Sequence, residues 1–255
     1  MSEDILEKQL FEIIKDEKME EHIKVAKIDM LVRLGVDVNA LYGAKSALKL
    51  ANEVNNQKVI EFLENNGAKD VFDEETANEL SKKLYKICAS EAKDINIAEI
   101  KELIDMGADV NECNEYGSTA LMMASMSNHK EIVEILIQNG ADVNECNEYG
   151  TTAFMMASMN NHKKIVEILI QNGADVNHRD RDGDTALIYA SNYGEKEATE
   201  LLIQNGADVN QKNNSGQNAM MVAYNEEIKK AIIDAVKKRN EKTGENVVVQ
   251  GFERE

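Results

Sequence analysis

The sequence predicts an all-α repeat solenoid, in which pairs of short helices stack and are joined by turn fingers. Three observations carry the prediction. The segment "NECNEYGSTALMMASMSNHKEIVEILIQNGADV" (111–143) is followed at once by a copy (144–176) that differs only at 118/151, 121/154, 127/160 and 131/164. A third copy in the same phase occupies 177–209, and a fourth begins at Asn210, about three residues short between its helices. Within each copy the apolar spacing is helical and is interrupted by glycine at fixed offsets, so each unit is two helices and an extended turn. A unit of that kind cannot bury its apolar face alone, and neighbouring copies must stack.

The elements follow in order along one copy. Gly117, Gly150, Gly183 and Gly216 come after polar residues and read as turns. Thr119, Thr152 and Thr185 stand at helix starts, where a hydroxyl can accept from free backbone N–H groups. A short apolar helix follows, represented by Ala120, Leu121, Met123 and Ala124. A polar loop, "SNH" or "NNH", leads to a second helix on which Ile132, Ile135, Leu136 and Asn139 share a face. Gly140, Gly173 and Gly206 are placed to end that helix in the left-handed conformation.

These residues resemble the ankyrin repeat. The matching phrases are "G-x-T-A-L" (117–121, 183–187), "HKEIVEILI" (129–137) and "NGADVN" (139–144, 172–177, 205–210). The resemblance spans roughly 20–240 and implies an elongated, curved array. The chain departs from the family where Pro and His of its T-P-L-H phrase are replaced by Ala120 and Met122, Ala153 and Met155, and Ala186 and Ile188. Apolar packing is expected to substitute for the histidine's hydrogen bonds.

About seven units are expected. Residues 1–70 form degenerate units, with Leu6, Leu10, Ile13 and Ile14 on one helical stripe and Ile28, Leu31 and Val32 on another, as a capping unit. Residues 71–77 are an acidic join, either a break between two arrays or a longer loop in one continuous solenoid; continuity is preferred. The main array runs over 78–240, with a first helix within 77–90, a loop at "EAKDINI" and a second helix and turn at 98–111. The tail 241–255 contains the β-prone run Val247, Val248 and Val249. A frayed end is the preferred reading; the alternative is a segment that folds back on the last repeat or is held by a partner as an added strand.

Composition narrows the function. The chain has 255 residues, is 43% apolar and 30% charged, and carries a net charge of −18. That charge repels phosphate backbones and disfavours nucleic-acid binding. The apolar runs are too short to span a membrane. The acidic start "MSEDILEKQL" lacks the layout of a signal peptide, so a cytoplasmic location is expected, although an exported protein without a cleavable signal would read the same.

The three cysteines are an odd number, which argues against a disulfide framework. Cys113 and Cys146 are one repeat apart, as are His129 and His162. Stacked repeats lie about 10 Å apart, too far for a shared zinc or for a disulfide, whose Cα atoms sit within about 7 Å. Cys88 shares an apolar stripe with Leu84 and reads as core. The basic cluster Lys229, Lys230, Lys237, Lys238, Arg239 and Lys242 reads as the solvated face of a terminal helix. No cofactor, metal or catalytic motif is expected.

The resemblance implies a non-enzymatic scaffold that holds a partner protein through turn tips and inner helices; a monomer is expected. Carried over residue by residue, the tips are Cys113, Glu115, Tyr116 and Ser118; Cys146, Glu148, Tyr149 and Thr151; Arg179, Arg181, Asp182 and Asp184; and Lys212 with Asn214. The inner-helix positions are Met126, Ser127, Met159, Asn160, Asn192 and Tyr193. Met123 and Met156 are read as core, whereas Met126 and Met159 face the groove, where thioethers adapt to a partner. An acidic inhibitor or immunity-type protein that neutralises a basic enzyme or toxin is the narrower alternative.

Overall fold

The computed structural model describes residues 3–90 and 95–250, and the chain divides into two compact units that interleave in sequence. One comprises the residues up to Lys83 with Ala98–Asp109; the other comprises Leu84–Ile97 with the residues from Val110 onward. Residues 91–94, within the expected loop at "EAKDINI", and 251–255, the end of the expected tail, lie outside the described residues.

The first unit opens with α1 (Glu3–Lys15) and α2 (Glu21–Arg33). A finger of β1 (Leu41–Tyr42) and β2 (Lys45–Ser46), paired antiparallel, leads to α3 (Ala47–Glu53) and α4 (Gln57–Asn65). Leu10, Ile14, Ile28, Val59 and Leu63 are buried together, so the expected stripes are core, joined by Phe11, which the stripe omitted. Lys24 is also buried, and its Nζ donates to the Ile14 carbonyl at 3.0 Å, satisfying an acceptor at the end of α1.

The acidic join is built, not slack. Phe72 bridges to Lys45, and Asp73 accepts from the Glu75 and Thr76 amides at the start of α5 (Glu74–Cys88). Phe72 stays 44% exposed while its ring edge reaches Gly107. The helix α6 (Ile97–Asp105) follows, with Ile100 and Leu103 buried.

The second unit carries the regular repeats: α7 (Ala120–Met126) and α8 (Lys130–Gln138), α9 (Ala153–Met159) and α10 (Lys163–Gln171), α11 (Ala186–Tyr193) and α12 (Lys196–Gln204), α13 (Ala219–Val222) and α14 (Glu226–Thr243). The inner helices α7, α9, α11 and α13 pack in sequence, as do the outer helices α8, α10, α12 and α14. Thr119, Thr152 and Thr185 cap their helices by accepting from the amides of Met122, Met155 and Ile188.

Two face assignments change. Met122 and Met155 are fully buried, whereas Met123 and Met156 are only half-buried. A seven-residue helix makes under two turns, and the cap fixes which side turns inward. Apolar packing thus does stand where the family has histidine. Asn139 leaves the buried face of α8; its Nδ2 caps the Ile135 carbonyl. The basic cluster changes too. Arg239 is largely buried, with Nε on Glu245 at 2.8 Å and Nη1 on the Ala207 carbonyl at 3.0 Å. Residues 245–250 fold back onto the last repeat rather than fray, held by Asn210, Asn218 and Asn240.

A second left-handed residue closes α7, α9 and α11, with φ of +61° at Asn128, +56° at Asn161 and +83° at Gly194. The loop that opens each copy is then clamped to the loop that ends it by one carboxamide. Asn111 Nδ2 donates to the Gly140 carbonyl at 3.0 Å and its Oδ1 accepts from the Asp142 amide at 2.8 Å. Asn144 and Asn177 repeat both bonds with Gly173 and Asp175, and with Gly206 and Asp208. Replacing the buried Thr152 hydroxyl (Thr152→Ala) is expected to cost about 1 kcal/mol in urea unfolding, while Thr151→Ala, which leaves the cap in place, changes much less.

Candidate protein-binding face

The fingers of the second unit are shaped from within. Asn147 is buried, and its Oδ1 accepts from the amides of Tyr149 and Thr151 at 3.0 and 2.9 Å. Asn114, Asp180 and Asn213 do the same in their own fingers. This side-chain turn tightens the loop and leaves the residue two places on, Tyr116 or Tyr149, projecting outward. Each tip is also bonded to the next. The Glu148 amide donates to the Tyr116 carbonyl, Arg181 to Tyr149, and Asn214 to Asp182, at 3.0, 3.0 and 2.9 Å. Gly150 permits the approach: a Cβ there would lie 2.9 Å from the Cα of Asp180.

The result is a row of rigid tips with exposed side chains. Tyr116 is 50% exposed and Tyr149 61%. Cys113, Glu115, Cys146 and Glu148 are exposed beside them, as are Arg181, Asp182 and Lys212 further along. At the ends of the inner helices Met126 is 40% exposed, Tyr193 57%, Asn192 is exposed and Met159 half-buried.

Other expected contact residues are also bonded within the fold. Ser118 is buried, its amide held by Asn114, because it immediately precedes the Thr119 cap. Thr151 is half-buried, and its carbonyl accepts from the Asn147 amide. Arg179 spans two fingers, donating to the carbonyls of Gly183 and Lys212 and to Asn214 Oδ1. Asp184 is half-buried, accepting from Asn213 Nδ2 at 2.8 Å; burial raises its carboxyl, with that hydrogen bond opposing. Tyr189 behind it donates to Asp180 Oδ2, and burial raises its phenol further from ionisation.

Two exposed residues were missed. Tyr224 is 71% exposed, its amide on the Ser191 carbonyl and its ring against Gly194; Met221 is 48% exposed. Both lie in the fourth copy, where the three missing residues break the alignment that located the others. The signal was the phrase "MMVAY" itself, an apolar run ending in tyrosine just where the shortened loop begins.

Three of the four histidines are hydrogen-bonded to main-chain carbonyls of the fold. Nε2 of His129 is hydrogen-bonded to the Ser90 carbonyl, that of His162 to Met126, and that of His178 to Gly150, all at 2.9–3.0 Å. Among the described residues no group of three or more His, Cys, Asp or Glu could hold a metal. No helix among them is long and apolar enough to cross a membrane.

All three cysteines are free thiols. Cys113 and Cys146 are exposed, whereas burial pushes the Cys88 thiol up to about 12. A thiol-disulfide reagent at pH 8 is therefore expected to titrate two groups in the folded protein and the third only on unfolding. Loss of the fast phase to zero in Cys113→Ser/Cys146→Ser checks the assignment.

Comparison with known proteins agrees with this architecture. A family model described as ankyrin repeats (3 copies) matches residues 86–180 and again 175–242, well over half of the chain. A comparison with curated proteins found no match. With its capped inner helices, stacked outer helices and bonded fingers, the chain belongs to the ankyrin repeat family.

Proposed function

We propose that the protein is a non-catalytic scaffold that binds a partner protein through the finger tips and inner-helix ends of its second unit. Ankyrin repeats are generally protein–protein interaction modules, and the family is generally non-catalytic. The observation that carries the assignment to this face is the pair Tyr116 and Tyr149, half or more exposed on tips that are hydrogen-bonded to one another. Tyrosine held this way loses little further entropy on binding and buries a large area. Met126, Met159, Asn192 and Tyr193 extend the same surface, and Tyr224 with Met221 lengthens it.

Charge supports a basic partner. The chain carries −18, and Glu115, Glu148 and Asp182 place carboxylates on the tips. A basic enzyme or toxin held in an inhibited complex fits this field, because opposite potentials speed encounter.

The face is tested by the quadruple change Tyr116→Ala, Tyr149→Ala, Met126→Ala and Met159→Ala, with the partner recovered from the native cell. Binding is expected to weaken by at least about 2 kcal/mol, roughly thirtyfold in Kd, with the helical circular dichroism unchanged. Retained affinity in the folded variant assigns the contact elsewhere. For a basic partner, the association rate in stopped flow is expected to fall on the order of tenfold between low salt and about 0.5 M. A salt-independent rate rules out charge steering.

A further inference from the structure

The segment 245–250 makes contacts that the repeats make elsewhere. In each regular copy the opening asparagine donates to the carbonyl of one residue of the loop that ends the copy and accepts from the amide two places on: Gly140 and Asp142 for Asn111, Gly173 and Asp175 for Asn144, Gly206 and Asp208 for Asn177. Asn210 stands at the next position of this series. Its Nδ2 donates to the Val248 carbonyl at 2.7 Å and its Oδ1 accepts from the Gln250 amide at 2.7 Å. The two atoms are again two residues apart. Val248–Gln250 thus fills the place that a further Gly-Ala-Asp segment would fill.

Two more carboxamides complete the grip. Asn240 Oδ1 accepts from the Val247 amide at 3.1 Å and its Nδ2 donates to the Val247 carbonyl at 2.9 Å. Asn218, fully buried while it caps α13 through its Oδ1, donates from Nδ2 to the Gln250 carbonyl at 3.1 Å. All five of these bonds go to the main chain of the segment. Val248 meanwhile points into solvent, 66% exposed.

We infer that Asn210, Asn218 and Asn240 form a slot that reads the backbone of an extended peptide, and that the chain's own residues 247–250 are its occupant. The strap is a substitute rung. It satisfies the clamp of the last repeat with extended chain in place of another helix pair, and by filling the slot it closes that edge to strand addition by another chain. Backbone reading is what separates this from ordinary tail packing, since side chains at 248 and 250 contribute little to it.

The distinction is tested in the full chain by hydrogen exchange and peptide titration. Gln250→Pro deletes the donor to Asn210, and Asn210→Ala deletes the acceptor. Each is expected to speed exchange of the Val247 amide at least about tenfold, while amides of α7 and α8 keep their protection. Gln250→Ala keeps the backbone donor and is expected to stay within about twofold of the parent. A free peptide of residues 245–250 is then expected to bind the Gln250→Pro chain, whose slot is vacated but intact, in the millimolar range by NMR. It should bind neither the parent, whose slot is filled, nor Asn210→Ala, whose slot is damaged. The inference is overturned if Gln250→Ala frees the strap as much as Gln250→Pro does. It is equally overturned if the peptide fails to bind the Gln250→Pro chain, or binds it and Asn210→Ala alike.

Discussion

The carboxamide of Asn144 donates from one atom and accepts at the other, and both partners lie on the main chain of the following inter-repeat loop, at Gly173 and Asp175. Asparagine suits this task on simple grounds. Aspartate has no donor at neutral pH, and glutamine is a methylene longer with another torsion to freeze. The same clamp at Asn111 and Asn177 fixes how far one unit advances on the last. Everything periodic in the second unit inherits that advance: the inner-helix row, the histidine bonds from one loop to the preceding helix, and the tip-to-tip bonds.

The rigid row explains how a nearly featureless surface can act as a binding face. No deep catalytic constellation is needed where side chains are displayed at a fixed spacing. Asn114 and Asn147 hold the turns from inside, so the tyrosines outside them are free of structural duty. Their neighbours are not: Ser118 precedes a cap, Arg179 ties two fingers together, and Asp184 holds Asn213. The division between displayed and structural residues runs within each finger, one or two positions apart. The carboxylates that remain displayed add a field suited to a basic partner.

Much of this was legible in the sequence because repetition multiplies weak signals. A lone Thr before an apolar run is ambiguous, but three at one offset identify a cap, and three glycines at another identify helix ends. The errors have physical causes. Met122 and Met123 are adjacent on a helix too short for its periodicity to choose between them, and the Thr119 cap decides. The clamp of Asn111 reaches atoms 29 and 31 residues away, a spacing that no local pattern exposes. Arg179 reads as a free surface residue until the neighbouring finger brings Lys212 and Asn214 to it. The strap at 247–250 was legible as a β-prone run with folding back on the last repeat as the lesser alternative, since its partners are asparagines that the sequence uses everywhere.

The claim that the displayed row meets the partner is tested most directly by a hydrogen-exchange footprint of the complex. New protection is expected at the amides of 113–118 and 146–151 and at the ends of α7 and α9, with α8 and α10 unchanged. Protection confined to the outer helices, or to the first unit, would contradict it.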